Sequence, residues 1–130
     1  MFRKMNQYYL IFAVAAGGAL GAMLRYAFSV WISSDTFPYA TLAVNILGSF
    51  LFGFLFLFIQ QLVQADWWRH FVLVGFLGSL TTFSSFSYQT IDLFNSGRLF
   101  SGILNIFISL VSCLVFTSFG IWLSKKCISS

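Results

Sequence analysis

The 130-residue chain is 59% hydrophobic and only 8% charged, with a mean hydropathy of +0.90 and a net charge of +4. A soluble domain carries about a quarter charged residues, so this chain has too little polar surface to face water and lipid must be its solvent. The length leaves room for about four spans of about 20 residues and no separate soluble domain, and the basic residues fall at segment ends rather than on one patch, which argues against nucleic-acid binding.

The first apolar segment runs from about Tyr8 to Ile32. Arg3 and Lys4 ahead of a run containing Ala19, Gly21 and Ala22 also fit a cleavable leader. The segment reads instead as the first span, because later segments supply ample membrane character and Arg25 follows closely. Gly17 and Gly21, like Gly18 and Ala22, stand four residues apart and give α-helices a small face for close packing. Arg25 falls near the far end of this span. It is either an anchor snorkelling to the interface or a permanent cation in a water-filled vestibule, drawing an anion inward.

Ser33, Ser34 and Asp35 supply a turn, and Pro38 suits the first turn of the helix that follows. The second span covers about Tyr39 to Leu62 and places Thr41, Asn45, Gly48, Ser49 and Phe52 on one face. An amide at membrane depth must find a partner or line water. Asn45 can donate two hydrogen bonds without carrying charge, which suits either an interhelical bond or the stripping of water from an anion.

Gln60, Gln61, Gln64, Asp66, Arg69 and His70 read as a polar loop, with Trp67 and Trp68 at the interface. The third span, about Phe71 to Phe94, is the least helix-like. Its run GFLGSLTTFSSFSYQT crowds glycines and hydroxyls into an apolar segment, which predicts a break whose freed carbonyls are satisfied by protein or ions. Phe83 and Phe86 lie there. Their rings fill a core, or turn their partially positive edges toward a small anion.

Asn95 to Arg98 form a short turn, and the fourth span runs from about Leu99 to Leu123 before Lys125 and Lys126. Ser101, Asn105, Ser109, Cys113 and Thr117 recur every four residues with Ser112 beside them, a polar stripe covering roughly 24 Å. A ladder of neutral donors is what an anion path needs, binding enough to admit the ion and too little to trap it. An even number of spans puts both termini on one side. The excess of Arg3, Lys4, Arg69, Lys125 and Lys126 over Arg98 and Arg25 biases that side toward the cytoplasm, a bias at odds with a dual topology. Cys113 and Cys127 would stand roughly 21 Å apart on a helix, beyond disulfide reach. His70 has no cysteine or carboxylate at metal or triad spacing, so an enzyme is not expected.

The runs GGALGAMLRY (17–26), TLAVNILGSFLFG (41–53) and GFLGSLTTFSSFS (75–87) together resemble the Fluc/CrcB family of fluoride channels over nearly the whole chain, the third run most specifically. The resemblance implies an all-α membrane protein: a single integral membrane domain over 1–130, of four transmembrane helices with a break in the third. It also implies an antiparallel, dual-topology homodimer in the inner (plasma) membrane, passing fluoride passively out of the cell through two pores. By the same resemblance Phe83 and Phe86 are the paired rings whose edges contact fluoride. Asn45 is the pore asparagine, Arg25 the vestibule arginine, and Ser109 and Thr117 are polar pore-lining positions. Gly78 and Thr81 match residues whose backbone carbonyls hold a structural Na⁺ at the dimer interface. The chain departs from the family pattern at Gln89, where relatives carry Glu, at Asn105, where some carry an aromatic, and at Cys113, in place of serine.

Two other functions fit a small four-span protein. A small multidrug-type transporter needs an embedded carboxylate to exchange protons. This chain has no glutamate, and Asp92 falls near a helix end. A non-transporting membrane assembly subunit explains the glycines and leaves the polar stripe without a purpose.

Overall fold

The computed structural model describes residues 7–62 and 66–129, and among them every regular element is helical. Helix α1 is Gln7–Trp31 and α2 is Tyr39–Leu62. Residues 66–80 form α3, in which Arg69–Leu77 is π-helical between short α-helical turns. Helix α4 is Phe83–Asn95 and α5 is Leu99–Ile128. With α3 and α4 counted as one interrupted span, four helices are long and apolar enough to cross a bilayer. The interruption falls at Thr81 and Thr82, inside the glycine and hydroxyl run that predicts it.

Two boundaries differ from the reading by composition. Asp66 to His70, expected as a loop, are helical. Asp66 sits at the N-terminus of α3, where a negative charge favours the helix dipole, and Trp67 stacks on Phe71 with ring centroids 4.8 Å apart. At the other end α5 continues through Lys125 and Lys126 to Ile128. Those cations suit a helix C-terminus, and the Lys126 ammonium lies 4.4 Å from the centre of the Trp122 ring. Both extensions are polar because they reach past the hydrocarbon, not because the helix has ended. Arg3, Lys4 and Gln64 lie outside the described residues.

Helices α1 and α3 form one closely packed pair, and α2 and α5 the other. Without a hydrophobic drive inside lipid, such pairs depend on close backbone approach. Gly17 and Gly21 supply it in α1: a Cβ on either would strike a main-chain carbonyl of α3, that of Phe71 or of Phe76. Gly53 and Gly120 let α2 and α5 approach in the same way. Buried Val44, Ile59, Leu73, Leu77 and Leu80 fill the space between the pairs, while a surrounding belt of aromatic and aliphatic side chains stays exposed to lipid. At one end Arg98 Nη1 donates to the carbonyls of Asp35 (3.0 Å) and Thr36 (2.7 Å), tying the α1–α2 loop to the α4–α5 turn.

Gly21→Ala is therefore expected to destabilise the protein by roughly 1–3 kcal/mol, because the obstructing atoms belong to backbone and cannot swing aside. Thermal unfolding in detergent measures this. An unchanged midpoint would mean that α1 does not seat on α3 in this way.

Candidate functional site at the helix break

The chemistry of the break begins with where its backbone groups go. Leu77 O accepts both Thr81 N (3.2 Å) and Thr81 Oγ1 (3.0 Å), which closes α3. Thr81 (φ −80°, ψ 151°) and Thr82 (φ −149°, ψ 115°) are then extended. Helix α4 restarts on an N-cap: Thr82 Oγ1 accepts from Ser85 N at 3.1 Å. Asn45 of α2 clamps the extended segment, its Oδ1 accepting from Thr82 N at 2.8 Å and its Nδ2 donating to Thr82 O at 3.2 Å. Arg25 of α1 joins from the other side, Nε donating to Ser79 O at 3.1 Å.

The carbonyls at the end of α3 lose their usual donors through this arrangement, those of Gly78 and Thr81 among them. The N–H that would close an α-turn onto Gly78 O is that of Thr82, which goes to Asn45. The N–H that would close one onto Thr81 O is that of Ser85, which goes to the cap. Gly78 is exposed. Among the described residues no three His, Cys, Asp or Glu side chains gather to hold a metal; main-chain oxygens are ligands that hard cations accept.

A cleft of about 400 Å³ opens against the break. Asn45, Ser49 and Phe52 of α2 line one side, and Ser109, Cys113 and Thr117 of α5 another. Thr81, Thr82, Phe83 and Phe86 complete the wall. The two phenylalanine rings lie 5.4 Å apart between centroids and 46° between planes. Phe86 is 8% exposed and Phe83 73% exposed, so one ring is embedded in the wall and the other stands at its open edge. Thr117 Oγ1 donates to Ser49 O at 3.3 Å, and Ser109 Oγ donates to Asn105 Oδ1 at 3.4 Å.

Of the predicted residues, Asn45, Phe83, Phe86, Ser109, Thr117 and Thr81 therefore share one cleft. Arg25 does not line it. Arg25 lines a second cavity of about 240 Å³ with Thr41, Ser85 and Gln89, and Thr82 borders both spaces. Its bond to Ser79 O makes it part of the bundle interior rather than a side chain stretched to the interface. Gln89 also borders a third cavity, of about 300 Å³, whose walls include Asp35, Asp92 and Arg98 at the end of the bundle. No carboxylate lines the first two spaces. Hydroxyls, amide N–H groups and ring edges are available in one, and a guanidinium in the other.

Thr82 is the residue that reading by type passes over. It caps α4, bonds to Asn45 in both directions and borders both spaces. The signal was present: a threonine immediately ahead of a helix restart is a favoured N-cap. The stripe on the fourth span is also only partly realised. Ser109, Cys113 and Thr117 reach the cleft, whereas Asn105 is buried and donates from Nδ2 to Thr90 Oγ1 of α4 at 2.9 Å.

Comparison with known proteins gives a consistent result. Residues 12–121 match the family described as CrcB-like protein, Camphor Resistance (CrcB). A Methylococcus capsulatus protein named fluoride-specific ion channel FluC is 45% identical over 121 residues, 89% of this chain and 53% of that protein, so the chain spans about half the length of that relative. A Hahella chejuensis protein of the same name is 45% identical over 116 residues, covering 86% of this chain and 91% of its own. One from a Sulfurovum species is 42% identical over 123 residues, covering 92% and 97%.

Proposed function

We propose, because the chain belongs to the CrcB family, that it is a fluoride-selective channel letting the anion leave the cytoplasm down its own gradient. It is a multi-pass protein of the plasma membrane and a channel rather than an enzyme. The observation that carries this reading is the cleft at the break, walled by neutral donors and two phenylalanine rings, without a carboxylate. Fluoride is small and holds its water tightly, so a path must offer substitutes for that water at close range. Asn45 has a second amide hydrogen beyond the one bonded to Thr82, and the Ser109 and Thr117 hydroxyls donate within the protein over 3.4 and 3.3 Å, long bonds for which an anion can compete. The edges of Phe83 and Phe86 carry partial positive charge. Arg25, in the adjoining cavity, adds a permanent positive charge that favours anions over cations. Export then follows from acid chemistry: hydrogen fluoride crosses lipid uncharged, ionises in a less acid cytoplasm and is trapped there unless the anion has a way out.

The working unit in this reading is an antiparallel, dual-topology homodimer. Phe83 stands at the open edge of the cleft with most of its ring uncovered, as a ring shared with a second copy would. Gly78 and Thr81 fit a structural Na⁺ at the interface, since Asn45 diverts the donor of one carbonyl and the cap that of the other. One chain offers those two oxygens, and a second copy related by two-fold symmetry doubles them. Na⁺ bound there supplies positive potential beside the path and ties the subunits together. The partners are thus fluoride, sodium, a second copy of the chain and the bilayer.

Efflux from liposomes carrying the purified protein, followed with a fluoride electrode, tests the function. Fluoride should leave rapidly while chloride stays at the background rate. Chloride efflux matching that of fluoride would remove the claim of selectivity, and no fluoride efflux at all would remove the channel.

A further inference from the structure

We propose that Asn105 is a positioning residue that acts through Ser109 to set how tightly the cleft holds its anion, an inference that rests on the fluoride-channel reading above. Asn105 is 1% exposed and does not line the cleft. It is nonetheless the middle of a hydrogen-bonded series that ends on two groups of the wall. Thr90 Oγ1 donates to Phe86 O at 2.7 Å. Asn105 Nδ2 donates to Thr90 Oγ1 at 2.9 Å, and Ser109 Oγ donates to Asn105 Oδ1 at 3.4 Å.

The direction of every link is dictated by the first. A carbonyl oxygen only accepts, so the single hydrogen of the Thr90 hydroxyl is committed to Phe86 O. Thr90 Oγ1 is then left to accept, which selects the amide nitrogen of Asn105 and turns its oxygen toward Ser109. The single hydrogen of Ser109 is drawn in turn toward Asn105 and away from the cleft, leaving lone pairs where an anion would sit. To bind at Ser109, the anion must pull that hydrogen round against Asn105.

The contest is a mild one, because 3.4 Å is long for an O–H···O bond. Asn105 thereby makes Ser109 a weak donor rather than a strong one. Weak binding at each step is what lets an ion leave as readily as it arrives. Removing the competing oxygen should tighten the hold and slow the exit. A residue that merely filled space would alter the quantity of folded protein and leave the balance between hold and exit where it was.

The test measures initial fluoride efflux against internal fluoride concentration. In Asn105→Leu, both the half-saturating concentration and the maximal rate should fall, roughly threefold each for the loss of one modest hydrogen bond. In a Ser109→Ala background the same substitution should change neither quantity further. An equal shift with and without Ser109 would overturn the proposal. Should Asn105→Leu fail to fold, Thr90 decides: Thr90→Val removes the acceptor that orients the amide and should mimic Asn105→Leu, while Thr90→Ser keeps the hydroxyl and the unmodified values. Identical behaviour of those two variants would overturn the role of Asn105. Absence of fluoride efflux from the unmodified protein would overturn the channel reading itself.

Discussion

Replacing Asn45 with Asp should lower fluoride flux at least 100-fold while leaving the bundle standing. The aspartate keeps an oxygen to accept Thr82 N–H, the shorter of the two clamp bonds, and sets its second oxygen against Thr82 O where the amide donated, at some cost in stability. What changes most is charge. A carboxylate a few ångströms from an anion in a partly buried site repels it by about 4 kcal/mol at an effective dielectric near 20, and each 1.36 kcal/mol on a barrier is about tenfold in rate. Asn45→Leu is the counterpart. It adds no charge but orphans both Thr82 N–H and Thr82 O, at roughly 1–3 kcal/mol for each group left unsatisfied, so it should lose thermal stability as well as flux. Measured together, efflux and unfolding in detergent separate the two effects. An aspartate variant that conducts at the unmodified rate would place the anion's route away from this amide.

Phe83→Ile and Phe86→Ile should each slow fluoride by roughly tenfold, near the upper end of what a well-placed ring contributes beyond its area. Isoleucine occupies much of the same space and presents no positively polarised edge. Phe86 is embedded in the wall, so its loss should also loosen local packing. Phe83 is mostly uncovered in a single subunit, so its replacement should leave the subunit's own stability unchanged. Neither should dissociate the proposed dimer, which light scattering in detergent can check alongside the efflux assay. Full flux in both variants would show that ring edges take no part in the path.

The parts of this architecture that could be read from sequence are those where composition and geometry say the same thing. Apolar runs near the thickness of a bilayer announce spans, and glycines with hydroxyls in such a run announce an interruption. Gly17 and Gly21 announce close packing, which the carbonyls of Phe71 and Phe76 accept. Composition fails where a helix passes into the headgroups: Asp66 to His70 and Lys125 to Ile128 are polar and helical at once. The π-helical stretch at Arg69–Leu77 has no compositional signature at all, since a shift from i+4 to i+5 bonding is a matter of packing against α1.

Asn105 illustrates a subtler loss. Residues four apart on an α-helix are rotated by about 40°, so Asn105 and Thr117 end up about 120° apart around the axis. A pattern that looks like one stripe in the sequence winds from the α4 side of the helix to the cleft. Ser109 lies on both margins, which is why it touches Asn105 and the cavity together. The roles of Arg25 and Thr82 were hidden for another reason: each depends on a main-chain group of the broken span, and main-chain groups leave no mark on residue type.

The two-way bond between Asn45 and Thr82 has a mechanical side. Among the described residues no main-chain hydrogen bond crosses from α3 to α4, so the angle between those halves is inherited from the neighbouring helix that grips the joint. Helix α2 therefore works as a splint. Any tilt it adopts to match a thinner or thicker bilayer should be handed to Thr82 and so to Phe83 beside it, and fluoride efflux is expected to vary with acyl-chain length in the host vesicle.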